Sequence, residues 1–269
     1  MAQPSARHIV ITGSTRGIGF GMADAFLARG QQVTISGRKN ETVQAAVDEL
    51  LQKHPNGQVL GIACDVSDYD QVVELWNRAH AHFGVIDIWI NNAGLGNPQL
   101  DFYYNSAERM AVIVQTNLLG TMYGSKVAIE GMLEQGHGYL YNMEGLGSDG
   151  RRVDGLTLYG TTKYGIRYLN GGLIKEMRDT PIIVGSISPG MVVTDLLTRQ
   201  YDDRPAEEWE SAKRIFNILA DEPETVTPWL ADQILQNEKH GARIRWLTGI
   251  KVMSRFLKAP FVKRNLFED

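Results

Sequence analysis

The stretch His8-Ile9-Val10-Ile11-Thr12-Gly13-Ser14-Thr15-Arg16-Gly17-Ile18-Gly19 decides the fold of this chain. Its apolar run predicts a short buried strand, and a helical pattern from Gly17 to about Ala28 follows the glycines at once. Glycines in such a turn let the backbone approach a pyrophosphate, and the helix N-terminus offers free N–H groups and a partial positive charge. Three glycines can also simply form a tight turn, but the strand-turn-helix context favours a nucleotide site.

The same alternation of strands and helices continues along the chain. Strands are predicted at Gln32–Ser36, Gln58–Ala63, Val85–Ile90, Tyr139–Met143 and Ile182–Ser186, and helices at Asn40–Lys53, Asp68–Phe83, about Asn117–Leu133 and from near Leu158. Such alternation predicts a single-domain α/β fold over residues 1–269, a Rossmann-type doubly wound parallel sheet with helices on both faces.

Composition excludes several classes of protein. The 269 residues are 43% hydrophobic, enough for a full core, and the net charge of −4 gives no general attraction to nucleic acid. One cysteine, Cys64, excludes an internal disulfide framework, and no metal-binding motif is apparent. The polar first residues do not resemble a signal peptide, and no stretch reaches the roughly 20 apolar residues that cross a bilayer. We therefore expect a cytoplasmic protein.

Two regions break the alternation. Residues 195–225 are polar and acidic and follow a strand whose carboxyl end should border the ligand crevice, so they are a candidate substrate lid. Residues 249–269 form a basic tail, and the span from Arg243 to Arg264 holds seven basic residues and no acidic one. A basic, partly apolar tail is typical of peripheral contact with an anionic membrane or of binding an acidic ligand. A solvated terminal helix or a subunit contact is the commoner explanation.

The end of the second predicted strand indicates which nucleotide binds. Sites that prefer NAD place an acidic residue there for the ribose 2′-hydroxyl. This chain has Ser36-Gly37-Arg38-Lys39, and Arg16 in the glycine turn together with Arg38 could hold a 2′-phosphate by charge-assisted hydrogen bonds. The cofactor predicted is NADP(H), unless Arg38 and Lys39 are merely solvated turn residues.

Tyr159 and Lys163 are the candidate reactive pair. Four residues apart on a helix, they share one face, where an ammonium can lower the pKa of a phenol so that it exchanges protons near neutral pH. The spacing alone is common by chance, and a half-buried core tyrosine is the ordinary alternative.

These motifs, in this order, resemble the short-chain dehydrogenase/reductase family from near residue 8 to about residue 195. The resemblance rests on the glycine turn, Asn91-Asn92-Ala93-Gly94, Asn117 and the Tyr159/Lys163 pair. It implies that Tyr159 donates the proton, that Lys163 binds the nicotinamide ribose, and that Asn117 holds a water of a proton relay. It also implies a homodimer or homotetramer formed through the helices near 117–134 and 158–178. The glycine turn and Arg38 are predicted to contact the cofactor from the sequence pattern, and the resemblance implies the remaining contacts. The full set is Gly13, Ser14, Thr15, Arg16, Gly17, Ile18, Gly19, Arg38, Asp65, Val66, Asn91, Ala93, Gly94, Tyr159, Lys163, Pro189, Gly190 and Thr194.

One member of the family's catalytic set is missing. A serine that bonds the substrate carbonyl normally lies about thirteen residues before the tyrosine, where this chain has Gly145 or Leu146. Either another group polarises the carbonyl, or the loop is rebuilt so that Ser148 reaches it, and Ser148 is our candidate.

The stretches 145–151, 188–197 and 247–251 resemble the chlorophyll b reductase branch of the family. That resemblance implies NADPH-dependent reduction of a carbonyl on a bulky hydrophobic substrate, the 7-formyl group of chlorophyll b or of a related pigment. The alternatives are a reductase or dehydrogenase of another ketone, aldehyde or alcohol, and a non-catalytic NADP(H)-binding regulator. The aromatic residues Tyr103, Tyr104, Trp209 and Phe216 fall in segments near the expected mouth and receive no site role.

Overall fold

The structure, a computed structural model, describes residues 6–201 and 205–267. Three sequence predictions therefore fall partly outside the described residues. They concern the polar N-terminus at residues 1–5, the lid at residues 202–204 and the end of the basic tail at residues 268–269.

Within the described residues, seven parallel strands form one sheet in the order β3-β2-β1-β4-β5-β6-β7. The strands are β1 (His8–Ile11), β2 (Gln32–Gly37), β3 (Gln58–Ala63), β4 (Ile88–Asn91), β5 (Gly138–Met143), β6 (Ile182–Ser188) and β7 (Arg243–Arg245). The chain reverses its direction of winding between β1 and β4, and ligands of open α/β sheets bind in the crevice at the carboxyl ends there. The predicted doubly wound parallel sheet is confirmed.

Helices cover both faces of this sheet. They are α1 (Gly17–Leu27), α2 (Asn40–Lys53), α3 (Tyr69–Phe83), α4 (Ala107–Val114), α5 (Gly120–Gln135), α6 (Thr157–Glu176), α7 (Asp195–Thr198), α8 (Ala206–Leu219), α9 (Pro223–Gln236) and α10 (Gly249–Lys258). The helix predicted from Asn117 instead begins at Gly120, because a π-turn at Gln115–Leu119 precedes it. Strand β7 was not predicted from the sequence; in its three residues a single buried isoleucine lies between two arginines.

The core has two halves because successive strand residues point to opposite faces. Ile9 belongs to the half that contains Phe26 of α1 and Leu230 of α9, all fully buried. The other half contains Trp89 of β4, which packs at 5.9 Å between ring centroids against Trp76 of α3. This packing fixes the carboxyl ends of β1, β4, β5 and β6, from which the candidate site is built.

Among the described residues, no helix combines the length and apolar character that crossing a membrane requires.

Candidate active site

The glycine turn after β1 is held rigidly by its neighbours. Gly13 has a φ of +60°, and a Cβ on it would come within 2.6 Å of the Ala93 Cα, so only glycine fits here. The buried Ser14 hydroxyl donates to Ile11 O at 2.6 Å and accepts from Ser36 N at 3.0 Å. The Ser14 side chain therefore joins the glycine turn to the end of β2, and both of its hydrogen bonds are to backbone atoms.

The N-terminus of α1 is open toward the crevice. Its N-cap residue, Arg16, makes no side-chain capping bond, and the first turn carries no acidic residue. The N–H groups of that turn are thus available to an anion, and with the Gly13 cradle they fit the pyrophosphate of a dinucleotide. The Arg16 side chain instead pairs with Asp195 at the start of α7, with 2.8 Å between Nη1 and Oδ2.

At the end of β2, the predicted phosphate-binding residue Arg38 is exposed and forms no ion pair with any residue that the structure describes. Ser36 is buried and Gly37 packs closely against Thr15, so this strand end presents no carboxylate. The arrangement is compatible with a 2′-phosphate at Arg38.

The predicted contacts after β3 and β4 differ in accessibility. The Asp65 carboxylate accepts hydrogen bonds from the N–H and hydroxyl of Ser67, and the neighbouring Val66 is 6% exposed. Asn91 is buried, and its side chain joins Trp89 Nε1 to Asn142 Oδ1 with bonds of 2.8 and 2.7 Å. Asn91 therefore anchors β4 to β5. Its contact with the cofactor stays a prediction.

The loop after Asn91 closes over the glycine turn. Asn92, which the sequence analysis gave no role, donates from Nδ2 to Gly13 O at 2.9 Å. The next residues, Ala93 and Gly94, lead toward the reactive pair. A Cβ on Gly94 would lie 3.5 Å from Asn117 Oδ1 and 3.7 Å from Lys163 Nζ, so three predicted site residues meet at this point.

Tyr159 and Lys163 are both buried on one face of α6, as the spacing predicted. Lys163 Nζ donates to Met143 O at 3.2 Å and lies 5.7 Å from the centroid of the Tyr159 ring. Burial lowers the pKa of Lys163 to about 8. Burial also raises the pKa of Tyr159 above its ordinary value, so the lowering of the phenol pKa that we expected is not found in this arrangement.

Asn117 lies in the π-turn between α4 and α5, a distortion that is frequent at functional sites. Its side chain accepts from Leu95 N at 2.7 Å and donates to Leu95 O at 2.9 Å and to Thr162 Oγ1 at 3.2 Å. These bonds join the loop after β4 to α6, one residue before Lys163. The relay role of Asn117 stays a prediction.

Gly145 or Leu146 stands where the family's serine was expected. A Cβ on Gly145 would come within 2.5 Å of the Tyr159 hydroxyl. Ser148, our candidate replacement, is buried and its hydroxyl donates to Glu144 Oε2 at 3.4 Å. Its bonding to substrate stays a prediction.

Glu144 lies beside the candidate site and was not predicted from the sequence. It directly follows β5, is 3% exposed, and pairs through Oε2 with Arg243 of β7 at 2.5 Å. Its carboxylate also raises the pKa of Lys163 against the larger effect of burial. The sequence did contain an indication of this pair. An acidic residue immediately after an apolar strand is expected to be buried and therefore to need a charged partner.

The segment after β6 crosses the crevice. Pro189 is buried, Gly190 packs on Leu247, and the Thr194 methyl would lie 3.3 Å from a Cβ on Gly17. Beyond α7, Gln200 O accepts from Gln99 N at 3.4 Å. The first part of the predicted lid thus bridges the glycine turn and the loop after β4.

The aromatic residues of the candidate lid pack among themselves. The rings of Trp209 and Phe216 lie 5.2 and 6.1 Å from that of Phe267, and both contact Tyr201. These four rings form an aromatic cluster that includes two residues of α8, Trp209 and Phe216.

Comparison with known proteins gives the family. A sequence profile described as short chain dehydrogenase matches residues 7–205. The chain belongs to the short-chain dehydrogenase/reductase family. The matched region includes the glycine turn, the Asn91 loop, Asn117 and the Tyr159/Lys163 pair.

Relatives of this chain include plant proteins. It is 35% identical over 274 residues to chlorophyll(ide) b reductase NOL, chloroplastic, of Oryza sativa subsp. japonica, covering 97% of this chain and 77% of that one. It is 34% identical over 282 residues to a protein of Arabidopsis thaliana described as a probable chlorophyll(ide) b reductase, chloroplastic. That match covers 98% of this chain and 55% of the relative, so the chain spans about half the length of that protein. The cytoplasmic location stays a prediction.

Among solved structures, levodione reductase is similar, with a TM-score of 0.82 and 24% identity, covering 91% of this chain and 97% of that one. This similarity extends to the fold alone.

Proposed function

We propose that this protein is an NADPH-dependent reductase of a carbonyl on a bulky hydrophobic substrate, with the 7-formyl group of chlorophyll b or a related pigment as its leading candidate. The observation that carries the proposal is the buried Tyr159/Lys163 pair, which lies beside Gly94 at the carboxyl ends of β4 and β5. The identity to chlorophyll(ide) b reductases over nearly the whole chain supports the substrate.

Reduction of an aldehyde adds a hydride to carbon and a proton to oxygen, and NADPH, when bound, supplies the hydride. Gly13 and the open first turn of α1 bind its pyrophosphate, and Arg38 binds its 2′-phosphate. Tyr159 donates its hydroxyl proton to the carbonyl oxygen as the carbon is reduced to an alcohol. Lys163 holds a proton close to neutral pH, since its pKa is about 8, and so can restore the tyrosine.

A formyl group on a large conjugated ring fits two features of this site. Gly145 leaves no side chain between the backbone and the Tyr159 hydroxyl. The segment from Asp195 to Tyr201 is held by Arg16, by Gln99 and by the packing of Tyr201 on Trp209 and Phe216. It is suited to cover an extended substrate.

The test is an anaerobic absorption spectrum of the purified protein with NADPH and chlorophyllide b. We expect the pigment bands to shift only when NADPH is present. Tyr159→Phe should slow the shift by about 100-fold or more while NADPH binding is kept. Tyr164→Phe is the matched control, because Tyr164 lies on the same helix with 57% of its surface exposed.

Other results would select the alternatives. Oxidation of NADPH by another bulky ketone or aldehyde, with no reaction of the pigment, would indicate a reductase of changed substrate. Tight NADPH binding without oxidation by any carbonyl tested would indicate a non-catalytic regulator.

We further propose a homodimer or homotetramer formed through α5 and α6. Exposed apolar residues on these helices support this: Met122 and Leu133 on α5, and Tyr164 and Tyr168 on α6. Light scattering of wild type and Tyr168→Asp tests it, and a wild type that is monomeric at micromolar concentration would exclude it.

A further inference from the structure

The C-terminal segment carries an apolar surface that nothing in the described chain covers. The exposed fractions are 84% for Ile250, 67% for Met253, 45% for Phe256, 71% for Leu257, 86% for Phe261 and 54% for Val262. Ile250, Met253 and Leu257 recur at helical spacing on α10, and Phe261 extends their line into the turn beyond it. We call these six side chains the C-terminal apolar face. Monomeric proteins rarely expose so many large apolar residues together.

The opposite side of α10 fixes the helix in place. Arg255 donates to Leu219 O at 2.8 Å and to both oxygens of the buried Asp221, at 2.9 and 2.6 Å. Arg264 donates to Asp221 Oδ1 at 2.9 Å, and Trp246 Nε1 donates to Asp221 Oδ2 at 2.6 Å. Because this network anchors α10 by its polar side, the apolar face is held toward solvent.

The charge around the face is positive. Lys258 and Lys263 are exposed and form no ion pair with any residue in the ranges 6–201 and 205–267. Lys251 forms a cation–π contact with Trp246, with Nζ 3.0 Å from the ring centroid. No acidic residue occurs between Arg243 and Arg264 to offset these cations.

We propose that the C-terminal apolar face docks this protein on an anionic lipid bilayer. Ile250, Leu257 and Phe261 enter the boundary between headgroups and acyl chains, and Lys258 and Lys263 bind lipid phosphates. An anionic bilayer matches both the apolar side chains and their basic border.

The test is co-sedimentation of the full chain with vesicles, without substrate or cofactor, so that the result is independent of the proposed activity. One vesicle preparation contains phosphatidylcholine alone and the other contains an added fraction of phosphatidylglycerol. We expect binding to the anionic vesicles at low salt, weaker binding at high salt, and little binding to the neutral vesicles.

Two double variants separate the apolar and the basic contributions. Leu257→Ser with Phe261→Ser, and Lys258→Gln with Lys263→Gln, should each weaken binding to anionic vesicles more than about tenfold. Leu51→Ser on α2 is the control, since it removes an exposed leucine elsewhere and should change nothing. The lysine variant alters only exposed side chains and should fold normally. If the apolar variant fails to fold, the vesicle binding of the lysine variant alone tests the proposal.

Three results would overturn the proposal. They are a wild-type protein that stays in the supernatant with anionic vesicles at low salt, equal binding to both vesicle types, and a dimer that the Leu257/Phe261 variant splits while vesicle binding is absent.

Discussion

Gly145 lies directly against the Tyr159 hydroxyl, so close that a Cβ on residue 145 would come within 2.5 Å of that oxygen. The Tyr159 hydroxyl therefore limits the size of the side chain that residue 145 can carry. The tyrosine hydroxyl occupies the volume that a side chain at residue 145 would need.

Gly145→Ala should lower kcat by about tenfold or more, because the added methyl group forces Tyr159 out of its position. NADPH binding should be nearly unchanged, since the glycine turn is not touched. Gly171→Ala on α6 is the control, because a Cβ there meets nothing within 4 Å. Equal kcat in the two variants would contradict the close contact.

Lys163 should make stability depend on pH. Its pKa is about 8 in the folded chain against 10.5 for an ordinary lysine. Between pH 8 and pH 10 the unfolded chain therefore binds more protons, and the contribution of Lys163 to stability rises with pH. Below pH 8 both states hold the proton, so the penalty for burying the ammonium is complete.

Lys163→Met should therefore raise the free energy of unfolding at pH 7, by at most about 3 kcal/mol, while it abolishes turnover. The gain should shrink toward pH 10. Urea unfolding of both proteins at pH 7 and pH 10 measures it, with the exposed Lys175→Met as control. A difference that stays constant with pH would show that the folded pKa is ordinary.

The Glu144–Arg243 pair should respond unequally to loss of either partner. Glu144 is 3% exposed in its side chain and Arg243 25%. Arg243→Gln leaves a buried carboxylate without its counterion and should cost about 3 kcal/mol in the free energy of unfolding. Glu144→Gln leaves an arginine that can reach water and should cost less. Equal losses in urea unfolding would argue against this asymmetry.

Arg38 should set the preference between the two nicotinamide cofactors. Arg38→Asp should raise the KM for NADPH by about tenfold or more relative to that for NADH, since a charge-assisted phosphate contact becomes a repulsion. Lys39→Asp, the same charge change at the next exposed residue, should alter the ratio much less. A ratio that Arg38→Asp leaves unchanged would place the 2′-phosphate elsewhere.

Asp221 should hold the C-terminal segment to the rest of the fold. It is 5% exposed and accepts from Arg255, Arg264 and Trp246, so Asp221→Asn should cost about 2 kcal/mol. Asp232→Asn, which breaks the more exposed pair with Arg29, should cost less than about 1 kcal/mol. Thermal unfolding compares the two, and limited proteolysis should show earlier cleavage near α10 only in Asp221→Asn.

Local patterns were sufficient for the fold and for the order of the site motifs. Apolar runs that end in glycine turns are short-range features, and the i, i+4 spacing places Tyr159 beside Lys163 without any tertiary information. Strand β7 escaped prediction, because three residues with one buried side chain give no periodic signal.

The amino-acid sequence by itself determined the family, the doubly wound sheet and the shared helix face of Tyr159 and Lys163, because each depends on residue types at fixed spacing along the chain. Only the tertiary structure decided which residues that are distant in sequence come into contact. It brought Glu144 to Arg243 over 99 positions of sequence and Arg16 to Asp195 over 179. It also raised the pKa of Tyr159 and lowered that of Lys163, since burial depends on every element packed around a side chain.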